Sequence, residues 1–90
     1  MALLDLLGRR WTLRILWELR HQGLGFRGLQ ARCDAMSASV LSQRLGELRE
    51  AGIVHTDVGG VNRLTDHGAA LLDALGPLDR WAKRWAGRPA

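Results

Sequence analysis

The stretch that decides the fold begins with SASVLSQRLGELREAG, residues 37–52. Leucines recur in it at i, i+4 and i+7 (Leu41, Leu45 and Leu48), a spacing typical of a helix with one buried face. Ser37 is a favourable N-cap, and Gly52 follows the predicted end of the helix at residue 51. The sequence therefore predicts a capped, amphipathic helix over residues 37–51.

The helical spacing of apolar residues does not continue in the next stretch, IVHTDVGGVNRLT, residues 53–65. Residues 53–58 are rich in β-branched side chains, which favour a strand, and residues 61–64 can form a returning strand. Gly59-Gly60 between them is a two-residue hairpin signal. We therefore expect a β-hairpin directly after the helix.

Three short helices are predicted before this stretch. The first covers Ala2 to Leu7 and stops at Gly8, and the third covers Phe26 to Arg32. Between them, apolar residues at helical spacing predict a second helix that ends near Gly23. Its apolar positions are Trp11, Ile15, Leu16 and Leu19, and we expect Trp11 and Trp17 to pack inside the domain.

A last helix is predicted after the hairpin, with Thr65 as its cap. Gly76-Pro77 should kink or divide it, because a proline ring clashes with the preceding turn. Its apolar positions are Leu71, Leu72, Leu75, Leu78, Trp81 and Trp85.

The order of elements is four helices, a hairpin and a helix, with a tight polar turn from Cys33 to Met36 before the fourth helix. Two helices joined by a tight turn and followed at once by a β-hairpin indicate a winged helix-turn-helix. The predicted fold class is α+β and mostly α, with a short two-stranded wing and terminal dimerisation helices, and residues 1–90 form one domain.

Composition favours a polyanionic partner. The 90 residues carry 13 basic and 9 acidic side chains, a formal charge of +4. All basic residues but Lys83 are arginines, which fork onto phosphate and guanine better than lysine does. The alternative is an Arg-for-Lys bias of a GC-rich genome, which accounts for most of the skew.

Other classes of protein are disfavoured. Cys33 is the single cysteine, so an internal disulfide is impossible, and we expect it to be a small buried hydrophobe. We expect no metal, because His21, His55 and His67 have no ligand-like spacing. No catalytic arrangement or cofactor motif is recognisable, so we expect no enzyme and no cofactor. No apolar run approaches the roughly 20 residues of a membrane span, and residues 1–7 lack signal-peptide features, which predicts a cytoplasmic protein.

The segments LLGRRWTLRILWEL, FRGLQ, MSASVLSQRLGELREAGIV, RLTDHGAALL and LGPLDRWA follow one another along the chain. In this order they resemble the HxlR-type winged helix regulators, relatives of the MarR group, from about Leu6 to Trp81. The resemblance implies a bacterial transcriptional regulator that dimerises through its terminal helices and binds an inverted-repeat operator.

Three features depart from that family. Its wing is usually longer and carries a Pro-Pro-Arg segment and an aromatic residue, whereas here Asn62 stands in the aromatic position. Many members have a sensing cysteine near the N-terminus, which this chain lacks. The family's recognition helix usually starts with polar and basic residues, and here it starts with Ser37-Ala38-Ser39. The short wing bears on whether the wing contacts DNA, and the missing cysteine bears on redox sensing. The start of the recognition helix bears on which operator sequence is bound.

If the leucines of residues 37–51 face inward, a set of small and polar residues faces out. We call this set the recognition face: Ala38, Ser39, Ser42, Gln43 and Gly46. Gln43 can pair with adenine through two hydrogen bonds, and Ser37, Ser39 and Ser42 can bind base edges or phosphates. Arg44, on the flank, matches a family arginine and would either reach a phosphate or hold the helix through Glu47 or Glu50. The alternative for the whole set is an ordinary solvated helix face.

The charge count argues against strong DNA binding, since residues 37–65 have three arginines and three acidic residues and no net charge. Arg27, at the start of the predicted third helix, can contact phosphate because the first helix of the motif crosses the backbone. Arg63 near the wing tip can contact phosphate or the minor groove, or pair across the hairpin with Thr56 or Asp57.

The chain has more apolar material than a domain this small can bury, since it hides only about 60% of its unfolded surface. We expect the excess at the two ends to form a homodimer seam. An intramolecular cap and a cavity for an apolar small-molecule effector between protomers are the alternatives. The predicted interface residues are Leu3, Leu4, Leu7, Leu75, Leu78, Trp81 and Trp85.

We therefore expect a transcriptional repressor that binds double-stranded DNA as a homodimer. The competing hypothesis is a winged-helix module that has lost DNA binding and holds a protein or an apolar ligand. The short wing and the uncharged recognition face are what support that alternative.

Overall fold

The computed structural model describes residues 2–89, which form five helices and one two-stranded antiparallel sheet. The helices α1 and α3 have the predicted bounds, and the helix before the hairpin is capped by Ser37 as predicted. In chain order the elements are α1 (Ala2–Leu7), α2 (Thr12–Glu18), α3 (Phe26–Arg32), α4 (Ala38–Glu50), β1 (Val54–Thr56), β2 (Asn62–Leu64) and α5 (Asp66–Ala86).

The core lies where α2, α3 and α4 meet the base of the hairpin. The leucine stripe of α4 is buried as predicted, and Leu29 of α3 is fully buried with it. In α2 the buried positions follow the same helical spacing, which leaves Trp17 off the stripe. The buried apolar residues are Ile15, Leu16, Leu19, Leu29, Cys33, Met36, Leu41, Leu45, Leu48, Ile53 and Val54.

Two expectations about α2 are wrong. The helix ends at Glu18, with Leu19 as its C-cap, and does not continue toward Gly23. Trp17 is 46% exposed, because it lies on the side of α2 opposite the buried stripe, and the Arg20 guanidinium stacks on its ring at 3.7 Å. Trp11, by contrast, packs half-buried against the core as expected.

The start of α5 is held tightly against the end of α4. The Thr65 hydroxyl accepts a hydrogen bond from the Gly68 amide (3.1 Å) and donates one to the Gly52 carbonyl (2.6 Å), which confirms its capping role. A Cβ atom on Gly68 would overlap the carbonyl oxygen of Ile53, so only glycine fits there. Gly52 itself has a φ of 75°, which a glycine adopts without strain.

The hairpin is longer at its tip than the Gly59-Gly60 signal predicts. Thr56 pairs with Asn62, so five residues connect the strands. The Gly60 amide donates to the Asp57 carbonyl (3.0 Å), and Gly60 has a φ of 84°. The turn therefore starts at Asp57 and ends on the second glycine, and the expectation of a two-residue loop is wrong.

A third segment pairs with the hairpin. Leu24, in the loop between α2 and α3, exchanges backbone hydrogen bonds with Asn62 in both directions, at 3.0 and 2.8 Å. The Asn62 side chain is 2% exposed and donates to the Leu24 carbonyl (3.1 Å). Asn62 thus fastens the wing to the body of the domain.

Helix α5 runs unbroken from Asp66 to Ala86 through Pro77, so the expected division at Gly76-Pro77 is wrong. Gly68 is its one buried residue. Leu71 and Leu72 pack half-buried against the core, whereas the helix from Pro77 onward is largely exposed within residues 2–89. Leu78, Trp81 and Trp85 are each about half exposed, and the two indole rings stack with centroids 6.0 Å apart.

At the other end of the chain, Leu3 and Leu4 of α1 are 40% and 63% exposed, while Leu7 packs against the core. Leu75 of α5 is half-buried. None of the helices within residues 2–89 has the length and hydropathy that crossing a bilayer requires.

Candidate nucleic-acid interface

The turn between α3 and α4 is fixed by its own hydrogen bonds. The Ala35 amide donates to the Gln30 carbonyl (3.0 Å), and the Gln30 side chain donates to the Met36 carbonyl (2.8 Å). Asp34 and Ala35 have φ angles of 57° and 54°, while Cys33 and Met36 on either side are buried. The turn therefore holds the first residues of α4 rigidly beside the end of α3.

The first residues of α4 place three small side chains at the surface. The Ser37 hydroxyl accepts from the Val40 amide (3.3 Å) and lies 2.9 Å from the Ser39 hydroxyl. Ser37, Ala38 and Ser39 are all exposed. Capping thus uses one acceptor position of Ser37 and leaves this end of the helix open to a partner.

Ser42 and Gln43 continue the recognition face along α4. Both are exposed, and neither side chain hydrogen-bonds to another residue in the part of the chain that the structure describes. Because the leucine stripe fixes the rotation of α4, these two polar side chains point away from the core. A major groove admits such a helix face, and the Gln43 amide offers the donor and acceptor pair that adenine matches.

Arg44 is already bound within the domain. Its side chain is 15% exposed, its Nε donates to the Arg10 carbonyl (2.9 Å), and its Nη1 pairs with Glu47 (2.8 Å). The other Glu47 oxygen pairs with Arg9 at 2.9 Å. Arg44 therefore ties α4 to the loop between α1 and α2. Of the two roles that the sequence allows, a phosphate contact or holding the helix, these contacts match the second.

This network also changes the charge balance of the surface. Glu47, one of the three acidic residues in residues 37–65, is matched by two arginines, and Arg9 lies outside that stretch. The segment is neutral by count, but Glu47, one of the two acids on its central helix, is also paired with Arg9 from outside the segment. The sequence count therefore understates how basic the surface around α4 is.

Arg27 and Arg63 occupy different surroundings. Arg27 is exposed in the first turn of α3 and has no ion pair among residues 2–89. Arg63 is exposed on β2 opposite His55, and not opposite Thr56 or Asp57. A Cβ atom on Gly23 would lie 2.7 Å from Nη1 of Arg63 and 2.9 Å from its Cγ. The Arg63 side chain therefore runs back along the loop between α2 and α3.

The wing tip carries an acid. The Asp57 carboxylate accepts from the Gly59 amide (2.9 Å) and the Val61 amide (3.0 Å), and these bonds, that from Val61 first, hold the pKa of Asp57 below its usual value. Val58 beside it is fully exposed. The tip thus presents a carboxylate and an apolar side chain, and the charge of Arg63 on the returning strand also lowers the pKa of Asp57.

Arg49 is not among the DNA-contacting residues predicted from the sequence, although it lies on the same side of α4 as Ser42. It lies seven residues after Ser42, so both are on one stripe of α4. Its Nη1 donates to the Thr56 hydroxyl on β1 at 3.2 Å. The i, i+7 spacing was a signal available in the sequence, whereas the contact with Thr56 depends on how the hairpin folds back.

Two other candidate sites can be described. Cys33 is fully buried and burial raises the pKa of its thiol, in agreement with the predicted small hydrophobe. A groove of about 380 Å³ lies between α2 and α5, lined mainly by Leu13, Trp17, Leu72, Leu75 and Leu78. Within residues 2–89, no three His, Cys, Asp or Glu side chains lie close enough to hold a metal ion.

A locked turn, an outward polar helix face and an adjoining two-stranded wing define a winged helix-turn-helix DNA-binding protein. The family model for the HxlR-like helix-turn-helix matches residues 6–89. The chain belongs to this family, and it is a DNA-binding transcriptional regulator.

Proteins similar to this chain are transcriptional regulators, and solved structures among them share its fold. The chain is 36% identical over 87 residues to the HTH-type transcriptional regulator YvaP of Bacillus subtilis (strain 168), covering 90% of this chain and 81% of that protein. The quinone-bound YodB of B. subtilis superposes with a TM-score of 0.86 at 29% identity, covering 92% of each chain. A MarR-family regulator from Enterococcus faecalis V583 superposes with a TM-score of 0.84 at 30% identity, and the match covers 93% of this chain and 82% of that one.

Proposed function

We propose that this protein is a cytoplasmic repressor that binds an inverted-repeat operator as a homodimer, one winged-helix unit of residues 1–90 per half-site. The observation that carries the proposal is the recognition face of α4 beside the fixed turn, where Ser42 and Gln43 are exposed and have no side-chain hydrogen bond among residues 2–89. Ser39, Ser42 and Gln43 contact base edges, while Ser37 caps the helix at the same surface. The proposal includes no catalytic step.

In this proposal the arginines divide by role. Arg27, at the start of α3, contacts the phosphate backbone, because the first helix of a helix-turn-helix crosses it. Arg63 contacts phosphate from the base of the wing. Arg44 holds α4 in place through Arg10 and Glu47 and makes no contact with DNA.

Homodimerisation is supported by the apolar surface at both ends of the chain. Leu3, Leu4, Leu78, Trp81 and Trp85 are exposed in a single copy, and Leu7 and Leu75 flank them, half-buried. The exposed stripe of Leu78, Trp81 and Trp85 on α5 is the kind of apolar surface that marks an interaction site. A second copy of the chain covers it in a closed two-fold dimer, which sets two recognition helices against successive turns of an operator.

The groove between α2 and α5 is the place for an apolar small-molecule effector in this proposal. Its walls are mainly leucine and tryptophan side chains, and such linings bind compact apolar molecules. Trp17 lines the groove, so binding of an aromatic compound such as a simple quinone should quench tryptophan fluorescence, and Trp17→Leu should remove most of that change. Equal quenching in both proteins would exclude this groove as the effector site.

The test of the function is a titration against the DNA upstream of the protein's own gene and a scrambled duplex of equal length, at low and moderate salt. We expect tighter binding to the upstream DNA and weaker binding of both duplexes as salt rises. Gln43→Ala should cost about 1–3 kcal/mol on the true operator and little on the scrambled duplex. Gln22→Ala, an exposed glutamine outside α4, is the matched control. Binding to neither duplex would favour the module that has lost DNA binding.

A further inference from the structure

A small cleft separates α4 from the hairpin on the side of the recognition face. Its volume is about 240 Å³, and its walls include Phe26 at the start of α3, Ser42 and Arg49 of α4, and Thr56 and Asn62 of the wing. The cleft therefore opens between the helix that would enter the major groove and the wing beside it. The backbone of a bound duplex passes between those two elements in a winged helix-turn-helix.

A directed chain of hydrogen bonds crosses the floor of this cleft. Arginine can only donate, so the Thr56 hydroxyl accepts from Arg49 Nη1 (3.2 Å) and donates its own hydrogen bond to Asn62 Oδ1 (2.6 Å). The Asn62 amide nitrogen then donates to the Leu24 carbonyl (3.1 Å). Each member has one possible direction of donation, so the chain presents a fixed acceptor to Nη1 of the Arg49 guanidinium.

The Arg49 guanidinium keeps most of its donors. A guanidinium has five N–H groups, and a single one is used by Thr56. Arg49 has no ion pair among residues 2–89. Its Nη2 reaches back along α4 to within 3.9 Å of where a Cβ on Gly46 would stand.

The acidic side chains at this end of α4 face the other way. Glu47 and Glu50 line a separate groove with Leu3 and Leu6 of α1, and Glu47 is paired with Arg9 and Arg44. The cleft beside the wing therefore has a cation without a neighbouring anion on its helix. A charge that is oriented by hydrogen bonds and lacks a counter-ion is suited to bind one.

We propose that the cleft between α4 and the wing binds one backbone phosphate of the duplex, with Arg49 as its cation. The Thr56–Asn62–Leu24 chain positions that cation. The site rests on the proposed DNA binding and adds to it a contact that gives affinity without sequence preference. The positive charge of Arg49 at this site also offsets the negative charge of Asp57 at the wing tip.

The first test measures binding of Arg49→Gln to the operator and to a scrambled duplex over a range of salt concentrations. We expect a roughly tenfold loss per half-site on both duplexes at low salt, about a hundredfold for the homodimer, as for a charge-assisted hydrogen bond lost twice, with the ratio of the two affinities unchanged. The slope of log affinity against log salt should flatten by about 0.9 for each site lost, about two units in a homodimer. Arg80→Gln, which removes one exposed charge from α5, is the control and should keep the wild-type slope.

The second test separates the cation from its support. Arg49→Lys should keep most of the salt slope and lose affinity, because lysine keeps the charge without the planar fork. Thr56→Val should weaken both duplexes alike by less than Arg49→Gln does, and Thr56→Ser, which keeps the hydroxyl, should bind as the wild type. Thermal melting of each variant shows that it is folded.

The outcomes distinguish the site from the function. A wild-type slope in Arg49→Gln, with the wild type itself binding DNA, would overturn the phosphate site and leave the proposed function standing. A changed operator-to-scrambled ratio with an unchanged slope would make Arg49 a base-reading residue instead. If the wild-type protein binds no duplex, the proposed function and the phosphate site fail together.

Discussion

Arg44 and Arg49 lie five residues apart on α4, and the fold gives them different partners. Arg44 is largely buried between the Arg10 carbonyl and the Glu47 carboxylate. Arg49 is exposed and hydrogen-bonds to a single hydroxyl on the wing. One arginine is therefore tied to the rest of the fold on both sides, whereas the other has N–H groups without a partner among residues 2–89.

Arg44→Ala should lower the free energy of unfolding by about 1–2 kcal/mol, because a charged hydrogen bond to a carbonyl is lost with little access for water. It should leave the salt slope of DNA binding unchanged in the fraction that is folded. Urea unfolding followed by tryptophan fluorescence gives the first quantity, and duplex titration gives the second. A slope flattened by one unit or more per protomer, at unchanged stability, would show instead that Arg44 contacts phosphate.

Cys33 is buried, and its raised pKa keeps the thiol protonated at neutral pH, so it is a poor target for oxidants. We expect DNA binding by the wild type to be indifferent to peroxide or aldehyde treatment, and Cys33→Ser to behave in the same way. Gel shifts before and after treatment check both proteins. If treatment abolishes wild-type binding and the serine variant still binds, Cys33 is a sensor and its burial is not protective.

At the scale of elements, α4 contains a glycine at the centre of its exposed side. Gly46 lies one turn after Ser42 and one turn before Arg49, and a Cβ there would meet no atom closer than 3.9 Å. A glycine inside a helix costs about 0.5–1 kcal/mol relative to alanine. No contact within residues 2–89 requires a glycine there, and under the proposed function close approach of DNA to the helix backbone would account for it.

Gly46→Ala should therefore stabilise the protein by about 0.5–1 kcal/mol and weaken duplex binding, since the added methyl stands on the recognition face. Gly28→Ala in α3, where a Cβ is also 3.9 Å from its nearest neighbour, should give a similar stabilisation without that loss. Thermal melts and duplex titrations of both variants make the comparison. Equal affinities of the two variants would mean that the recognition face does not approach DNA at Gly46.

The hairpin shows where local signals mislead. Gly59-Gly60 is a common two-residue turn, but the Asp57 carboxylate binds the amides of Gly59 and Val61 and starts the turn earlier. The Asp57 carboxylate accepts hydrogen bonds from backbone amides two and four residues ahead, and these bonds set the length of the loop. Aspartate often stabilises turns in this way. Asn62, which stands where the family has an aromatic residue, fastens the same hairpin through Leu24.

At the scale of the whole molecule, the apolar surface is concentrated at the two ends of the chain. Helix α5 extends over 21 residues and buries a single one of them. The stacked Trp81 and Trp85 rings and the exposed Leu78 lie along one stripe at i, i+3 and i+7. Such a stripe on an otherwise solvated helix is the pattern expected for contact with a second copy.

Trp81→Glu should shift the protein from dimer to monomer and weaken operator binding, because separated half-site units lose the advantage of binding together. Arg80→Gln changes the charge by the same amount on the same helix and should leave both properties unchanged. Sedimentation at micromolar protein and operator titration are the measurements. A wild type that sediments only as a monomer would refute the homodimer.

The sequence by itself determined the parts of the fold that depend on neighbours along the chain. Helix spacing placed Leu41, Leu45 and Leu48 in the core, and Ser37 and Thr65 cap the helices that follow them. These features need only i, i+3 and i+4 contacts. The element order then defined the winged helix-turn-helix, and the exposure of Gln43 followed from the leucine stripe.

Only the tertiary structure decided which polar groups are already occupied. Arg44 bonds to Arg10 across 34 residues, and Asn62 bonds to Leu24 across 38. The orientation of Arg49 depends on Thr56, which reaches it because the hairpin folds back on α4. The early end of α2 and the exposure of Trp17 likewise depend on what packs against that helix. Sequence periodicity reports which face of an element is buried, whereas the partner of a side chain is set by distant segments that meet only in the folded chain.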